Sequence, residues 1–261
     1  MRILTLTSSS RERGNTARTV GLIEQHLVTV ATQRDEPLTI DRINLAHQDI
    51  RKCHGCRTCF DRGEESCPLE DDVPLIAARI EEADGLILAS PVYVNDVNGV
   101  AKNWIDRMAY VCHRPAFSGK CAFLVATVAD SPTSHTLRTM NVALRTWGFH
   151  IVGEAGFKMG ALMEQEALVE RFESRTARIA EDIFHAVQDE HYLNPSFISL
   201  MMFRIQQLSW RNVDEASIDY AYWQRHGWFD AGTTFFIDHR ANPVKVALAR
   251  LTGGVVAGFV T

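Results

Sequence analysis

Four cysteines fall within fifteen residues, as Cys53-His54-Gly55-Cys56-Arg57-Thr58-Cys59 and then Cys67-Pro68. The spacing C-x2-C-x2-C-x7-C-P can bring four thiolates around one centre. Bacterial [4Fe–4S] ferredoxins use a related run, C-x2-C-x2-C-x3-C-P, although there the last cysteine serves a second cluster. Four soft thiolates select iron–sulfur or zinc over hard cations. Four outcomes are open to Cys53, Cys56, Cys59 and Cys67: a [4Fe–4S] cluster, a structural zinc ion, a loop without metal, or disulfides. Thiolate count and compact spacing favour the cluster. Four-cysteine zinc sites usually pair two C-x2-C knuckles set farther apart, and a reducing compartment disfavours disulfides. His54 could replace a thiolate, but four already suffice, so it is expected near the site or in solvent. Cys112 and Cys121 sit in apolar contexts and are expected as small buried hydrophobes.

A second group of residues suits an anion. Ser8-Ser9-Ser10-Arg11-Glu12-Arg13-Gly14-Asn15-Thr16 joins the first apolar run to the first helical pattern. Hydroxyls, a glycine and free amides at a helix N-terminus form a natural phosphate cradle, with Arg11 as a positive partner. The segment lacks G-x-x-x-x-G-K-[ST], so it is not a triphosphate loop, and it lacks G-x-G-x-x-G, which argues against a dinucleotide fingerprint here. A third group, Ser90-Pro91-Val92-Tyr93-Val94-Asn95, follows a near-continuous apolar run.

These groups need a frame to position them. Short β-rich runs are expected at Met1–Thr7, Leu38–Leu45, Gly85–Ser90, Cys121–Val128 and Phe149–Glu154. Helical periodicity covers Asn15–Gln33, Val73–Glu82, Gly99–Cys112, Ser134–Trp147, Glu164–Gln188 and Pro195–Arg211. Alternation of strand and helix predicts a doubly wound α/β sheet. In the flavodoxin-like order 2-1-3-4-5, ligands bind beyond the carboxyl ends of strands one and three, where FMN sits in flavodoxin itself. The second and third residue groups would flank that crevice. The cysteines lie in a long loop, Ala46–Asp71, and a loop of that length in a compact domain points to function.

Taken together in this order, Ser9-x-Arg11-x-x-Gly14-Asn15-Thr16, the cysteine loop ending in Asp71-Asp72, and Ser90-Pro91-Val92-Tyr93 with Lys102 and Asp106-Arg107 resemble the NAD(P)H-dependent FMN reductase family. They look most like its iron–sulfur flavoprotein branch, and the resemblance covers roughly residues 1–190. It implies a five-stranded flavodoxin-like α/β fold, FMN and a [4Fe–4S] cluster. By position, it implies phosphate contacts at Ser9, Arg11, Asn15 and Thr16, and ring contacts at Pro91, Val92, Tyr93 and Val94, partly through backbone. It implies the cysteine loop as the cluster site, and a homo-oligomer, dimer or tetramer. Electrons would come from NAD(P)H or a ferredoxin-like donor and pass to a small-molecule or protein acceptor. Two departures stand out: Ser8 replaces a usual glycine, and Val128-Ala129-Asp130-Ser131 replaces a glycine-rich turn, so no residue is assigned to the far rim. Two other functions remain open, a cluster-free NAD(P)H:FMN, quinone or azo reductase and a non-catalytic electron carrier or redox sensor.

The remaining candidates are expected to be structural. Asp71 and Asp72 read as helix caps, Lys102 and Arg107 as surface or interface charges, and His135 as a solvated loop residue. No Ser/His/Asp constellation or carboxylate pair stands out. The chain has 261 residues, 46% of them hydrophobic, enough for a sizeable core. Its 27 basic and 32 acidic residues give a net charge of −5, without a basic stripe for nucleic acid. No leader pattern or membrane-length apolar stretch is seen, which reads as cytoplasmic. The expected organisation is a flavin domain over 1–190 and a C-terminal extension over 191–261. Eleven of the 23 aromatic residues lie between Tyr192 and Phe236. Packing of that extension onto the domain's own surface is favoured over a partner or lid role.

Overall fold

The computed structural model describes residues 1–260; Thr261, the last residue of the expected extension, lies outside them. Five parallel strands form the sheet: β1 (Arg2–Thr7), β2 (Thr39–Asn44), β3 (Gly85–Tyr93), β5 (Cys121–Val128) and β6 (His150–Lys158). They lie in the order β2-β1-β3-β5-β6, which is the flavodoxin-like order expected from the alternation. A two-residue strand, β4 (Asp96–Val97), folds back antiparallel on the end of β3.

Side chains alternate across the central strands because successive residues point to opposite faces. Leu86 and Leu88 face one layer, while Ile87 and Ala89 face the other. The first layer is filled by α3 (Val73–Glu82), α4 (Gly99–Arg107) and α5 (Ser134–Thr146), with Trp104 and Trp147 meeting edge to face. The second is filled by α1 (Asn15–Gln33) and α6 (Gln165–Gln188). Both central strands are near-continuous apolar runs because both faces are covered.

Several boundaries differ from the sequence reading, and β6 runs on to Lys158, four residues past the expected end. β3 runs through Pro91 to Tyr93. Ala89 directs its carbonyl toward β1, accepting Ser8 N–H, so Pro91 directs its donor-less nitrogen to the same side, where β1 has already ended. Helix α4 stops at Arg107, and Ala109–Cys112 forms a separate 3-10 turn.

The C-terminal region consists of α7 (Phe197–Arg211), α8 (Ile218–Arg225) and α9 (Pro243–Val260). α7 and α9 approach closely at Gly253, where a Cβ would stand 2.8 Å from the Met201 carbonyl oxygen. Phe203, Trp223 and Trp228 form a second, aromatic core. The indole of Trp223 donates to the His113 carbonyl at 2.8 Å, so this region packs on the α/β unit. Among the described residues no helix is long and apolar enough to cross a membrane.

Candidate functional site

The carboxyl ends of β1, β3 and β5 open into a cleft of about 240 Å3. Ser9, Arg11, Asn15 and Thr16 line one side, and Pro91, Val92 and Tyr93 the other. Helix α1 enters the cleft by its N-terminus. Gly14 is the N-cap residue and offers no side-chain cap, and the first turn has no acid. The leading amides are therefore left without a side-chain acceptor and carry the positive end of the helix dipole. A Cβ at Gly14 would meet the Arg11 Cβ at 2.9 Å, so the turn tolerates only glycine without rearrangement.

The polar side chains here play different parts. The Ser9 hydroxyl accepts the Arg11 amide at 3.2 Å and shapes the turn. Asn15 donates to the Gly160 carbonyl at 3.2 Å and accepts the Met163 amide at 2.8 Å. The Thr16 and Thr127 hydroxyls share a buried 2.6 Å hydrogen bond. Asn15 and Thr16 thus close the cleft against the ends of β5 and β6, leaving the backbone amides at the start of α1 and the exposed Arg11 guanidinium as the groups an anion could meet. Thr127, Val128, Ala129, Gly160 and Ala161 complete the wall. The sequence reading assigned nothing to that rim; its available signal was position at the ends of the last two strands.

On the opposite side, Tyr93 is 51% exposed at the rim, and Val94 is fully exposed and does not line the cleft. Val94 and Asn95 have φ of 48° and 69° and form the two-residue turn between β3 and β4. Paired positive φ values are typical of tight hairpin turns, but a β-branched residue there is uncommon and strained. Asn98, which the sequence reading passed over, joins the two walls. Buried at the N-cap of α4, it donates to the Ser8 carbonyl at 2.5 Å and accepts the Ala101 amide at 3.1 Å. Asn44 supports the same loop by donating to the Ser9 carbonyl at 2.9 Å.

The cysteine loop wraps the other end of α4. Cys53, Cys56, Cys59 and Cys67 line one small cavity of about 90 Å3, walled by Phe60, Pro68, Leu69 and Arg107. All four thiols are free. Gly55 (φ 64°) and Arg57 (φ 65°) turn the chain through left-handed conformations before the single-turn helix α2 (Thr58–Asp61). Burial, then the neighbouring Cys67 and Cys53, push the Cys59 thiol up. The Thr58 hydroxyl, 3.3 Å from the Cys56 sulfur, lowers that exposed thiol. Among the described residues no three His, Cys, Asp or Glu side chains converge on a point as one metal ion requires. Four free cysteines lining one cavity supply the donor type that a cubane cluster takes, one thiolate to each iron.

Side chains on and below α4 pin the loop ends. Asn103 donates to the Ile50 carbonyl at 2.9 Å and accepts the Cys53 amide at 3.2 Å. Arg107, 7% exposed, donates to the Arg51 carbonyl at 2.9 Å, pairs with Asp71, and brings Nη2 to 3.7 Å from the Cys67 sulfur. This corrects the expectation of a surface charge. Asp71 does reach the Val73 amide at 3.2 Å, whereas Asp72 makes no cap bond and accepts the Asp49 amide at 2.7 Å. Lys102 is exposed beside Asp106, and His54 is exposed. His135 stands in the first turn of α5 with Nδ1 3.5 Å from Asp96, and does not line the cleft. Cys121 is buried, its thiol pushed up to about 12, while Cys112 is half-buried against Thr146.

Comparisons with known proteins bear on the family and the fold. An iron-sulfur flavoprotein from Archaeoglobus fulgidus is 26% identical over 232 residues, covering 87% of this chain and 99% of its own. Another from Clostridioides difficile is 22% identical over 200 residues, covering 76% and 84%. The solved structure of RosB with 8-demethyl-8-formylriboflavin-5′-phosphate superposes with a TM-score of 0.53 at 18% identity, over 74% of this chain and 78% of that one, a likeness of fold. The model of the NADPH-dependent FMN reductases matches residues 1–162, which include the Ser9–Thr16 turn of the cleft and all four cysteines. The chain belongs to the NADPH-dependent FMN reductase family, a family of flavin-dependent oxidoreductases.

Proposed function

We propose that this protein is an FMN-dependent oxidoreductase that also carries a [4Fe–4S] cluster on Cys53, Cys56, Cys59 and Cys67. The observation that carries the reading is the placement of four free thiols around one cavity at one end of α4, whose other end joins the walls of the cleft. The named iron-sulfur flavoproteins to which the chain is similar support it.

The amides at the start of α1, with Ser9, Arg11, Asn15 and Thr16, would hold the FMN phosphate. Pro91, Val92 and Tyr93 would bear on the ring, and Val94 would contribute through its backbone. Bound FMN supplies two-electron chemistry that can be split into single electrons, and the cluster supplies one-electron storage. The protein's part would be to fix the phosphate, bear on the ring with the half-exposed Tyr93, and shelter the cluster with Arg107 and Phe60. NAD(P)H is the donor that the family implies, and a ferredoxin-like protein is the alternative; the acceptor would be a small molecule or a protein.

Helix α4, nine residues and about 13 Å long, lies between the two candidate sites. In a homo-oligomer, dimer or tetramer, electrons could also pass across an interface between a flavin and a partner's cluster. Residues 1–190 would form the flavin domain and 191–261 an extension to it, in a reducing, cytoplasmic setting that keeps the thiols free. The test is iron, acid-labile sulfide and released flavin per chain in anaerobically purified protein. About four irons and four sulfides with one FMN are expected. Flavin without iron after attempted reconstitution would leave a cluster-free reductase, and zinc would make the loop structural.

A further inference from the structure

Residues from three distant stretches meet behind the cysteine loop. Arg114, 3% exposed, donates through Nη2 to the Cys59 carbonyl at 2.6 Å and to Glu64 at 3.0 Å, and through Nη1 to Asp219. Asp219, 6% exposed in the first turn of α8, uses its second oxygen to meet His113 Nδ1 at 2.8 Å. The His113 ring is packed between Phe60, at 4.7 Å between centroids, and Trp210, at 4.6 Å. The chain is thus folded so that the C-terminal region supplies the buried counter-charge of an arginine bonded to a cysteine of the loop.

We infer that the C-terminal region is a clamp on the cysteine loop, with Arg114 and Asp219 as the positioning residues that fix Cys59. The clamp rests on the proposed cluster reading for its purpose, but its mechanics stand on this chain's own contacts. Cys59 lies in α2, a helix of four residues. So short a helix does not hold itself together in water, because nucleation costs more than one turn returns. Its shape must come from outside. The bond from Arg114 to the Cys59 carbonyl is charge-assisted and buried, the kind that contributes most. Arg114 in turn stays buried only with a counter-ion, since a lone buried charge is strongly unfavourable. Glu64 is half exposed and serves weakly, whereas the Asp219 carboxylate is almost wholly enclosed. The aromatic extension is thereby given a task at the redox site that its own composition does not announce.

The experiment compares the full-length protein with Asp219→Asn, Asp219→Glu, Glu64→Gln and the double variant Arg114→Met/Asp219→Leu. Amide exchange across residues 57–62 is followed in iron-free protein, and iron loss to a chelator and the cluster's electron paramagnetic resonance signal in loaded protein. Asp219→Asn should speed exchange and iron loss by about tenfold or more, the loss of a charge-assisted bond, and change the resonance signal, with FMN content unchanged. Asp219→Glu should restore part of each, and Glu64→Gln should leave them near the original. The double variant removes both buried charges together and is expected to fold, yet Cys59 has lost its donor, so exchange and iron loss should still rise. Unchanged exchange and iron loss in both the Asp219→Asn and double variants overturn the clamp. An unsubstituted protein that never takes up iron refutes the cluster reading separately, and the exchange measurement then still decides the clamp.

Discussion

Asp71 and Arg107 form an enclosed ion pair beneath Cys67, with the aspartate side chain 0% and the arginine side chain 4% exposed. The arginine closes two contacts at once, since its guanidinium also holds the Arg51 carbonyl on the incoming side of the cysteine loop. The pair therefore staples both ends of the loop to the last turn of α4. Removing one member leaves the other charge buried without a partner, which costs about 3–5 kcal/mol. Arg107→Ala should destabilise the protein by about that much in urea unfolding. Arg107→Met with Asp71→Leu should recover much of the loss, and a double variant no better than the single one would contradict a desolvated pair.

The same pair sets an acid limit. Burial pushes the Asp71 carboxyl up, but the Arg107 guanidinium and the Arg51 and Val73 amides outweigh it and hold the group below the usual carboxylate range. A depressed folded value means the unfolded chain binds the proton more readily. The contribution is then fully present at neutral pH and is lost as pH falls from about 4 through the folded value. In iron-free protein, Asp71→Asn should be less stable than the original at neutral pH and converge with it in acid. Parallel stability curves across that range would show that Asp71 is not the titrating group.

The turn before α1 makes a demand on space. Gly14 is not forced by its backbone angle, which is an ordinary −78°, but by the Arg11 side chain stacked where a Cβ would be. Gly14→Val should shift the turn and weaken FMN binding by about tenfold or more, the order expected for one lost hydrogen bond to a charged group, while unfolding stays cooperative. Asn98→Ala should act similarly from the opposite wall, because it frees the Ser8 carbonyl and uncaps α4 together. Fluorescence titration with FMN reads both, and unchanged affinity in both variants would move the phosphate away from this loop.

The strands were legible because β3 and β5 are apolar on every residue from Gly85 to Ala89 and Cys121 to Ala126, a pattern only a sheet covered on both faces tolerates. That the Ser9–Thr16 turn would share a cleft with the end of β3 followed from its place after the first strand, and that the four cysteines would line one cavity followed from their spacing. Arg107 was not legible, because a charge near the end of an amphipathic helix looks the same whether it faces solvent or a loop folded back from fifty residues earlier. Asp219 was less legible still, since its partners stand at 113 and 114, more than a hundred positions away. Asn98 carried a local signal as an N-cap residue, but its second bond to Ser8 is a tertiary contact. The turn at Val94-Asn95 was hidden for the opposite reason, as valine gives no hint of positive φ.

The two candidate cofactor sites lie at opposite ends of α4 and share no side chain: Asn98 serves the cleft, while Asn103 and Arg107 serve the cysteines. Loss of the cluster should therefore leave the flavin in place. Cys56→Ser is the sharpest probe, because Cys56 is exposed and its replacement disturbs no packed core. The variant is expected to fall from about four irons per chain to near none, with flavin content and the flavin absorption bands unchanged. Cys121→Ser is the matching control: its thiol is buried at the far end of β5 and should alter stability but not iron. If Cys56→Ser lost flavin together with iron, the two sites would be coupled through α4, and the cluster would be holding that helix in place. If it kept all its iron, the metal would be held elsewhere, and the reading of the four-cysteine loop would fail.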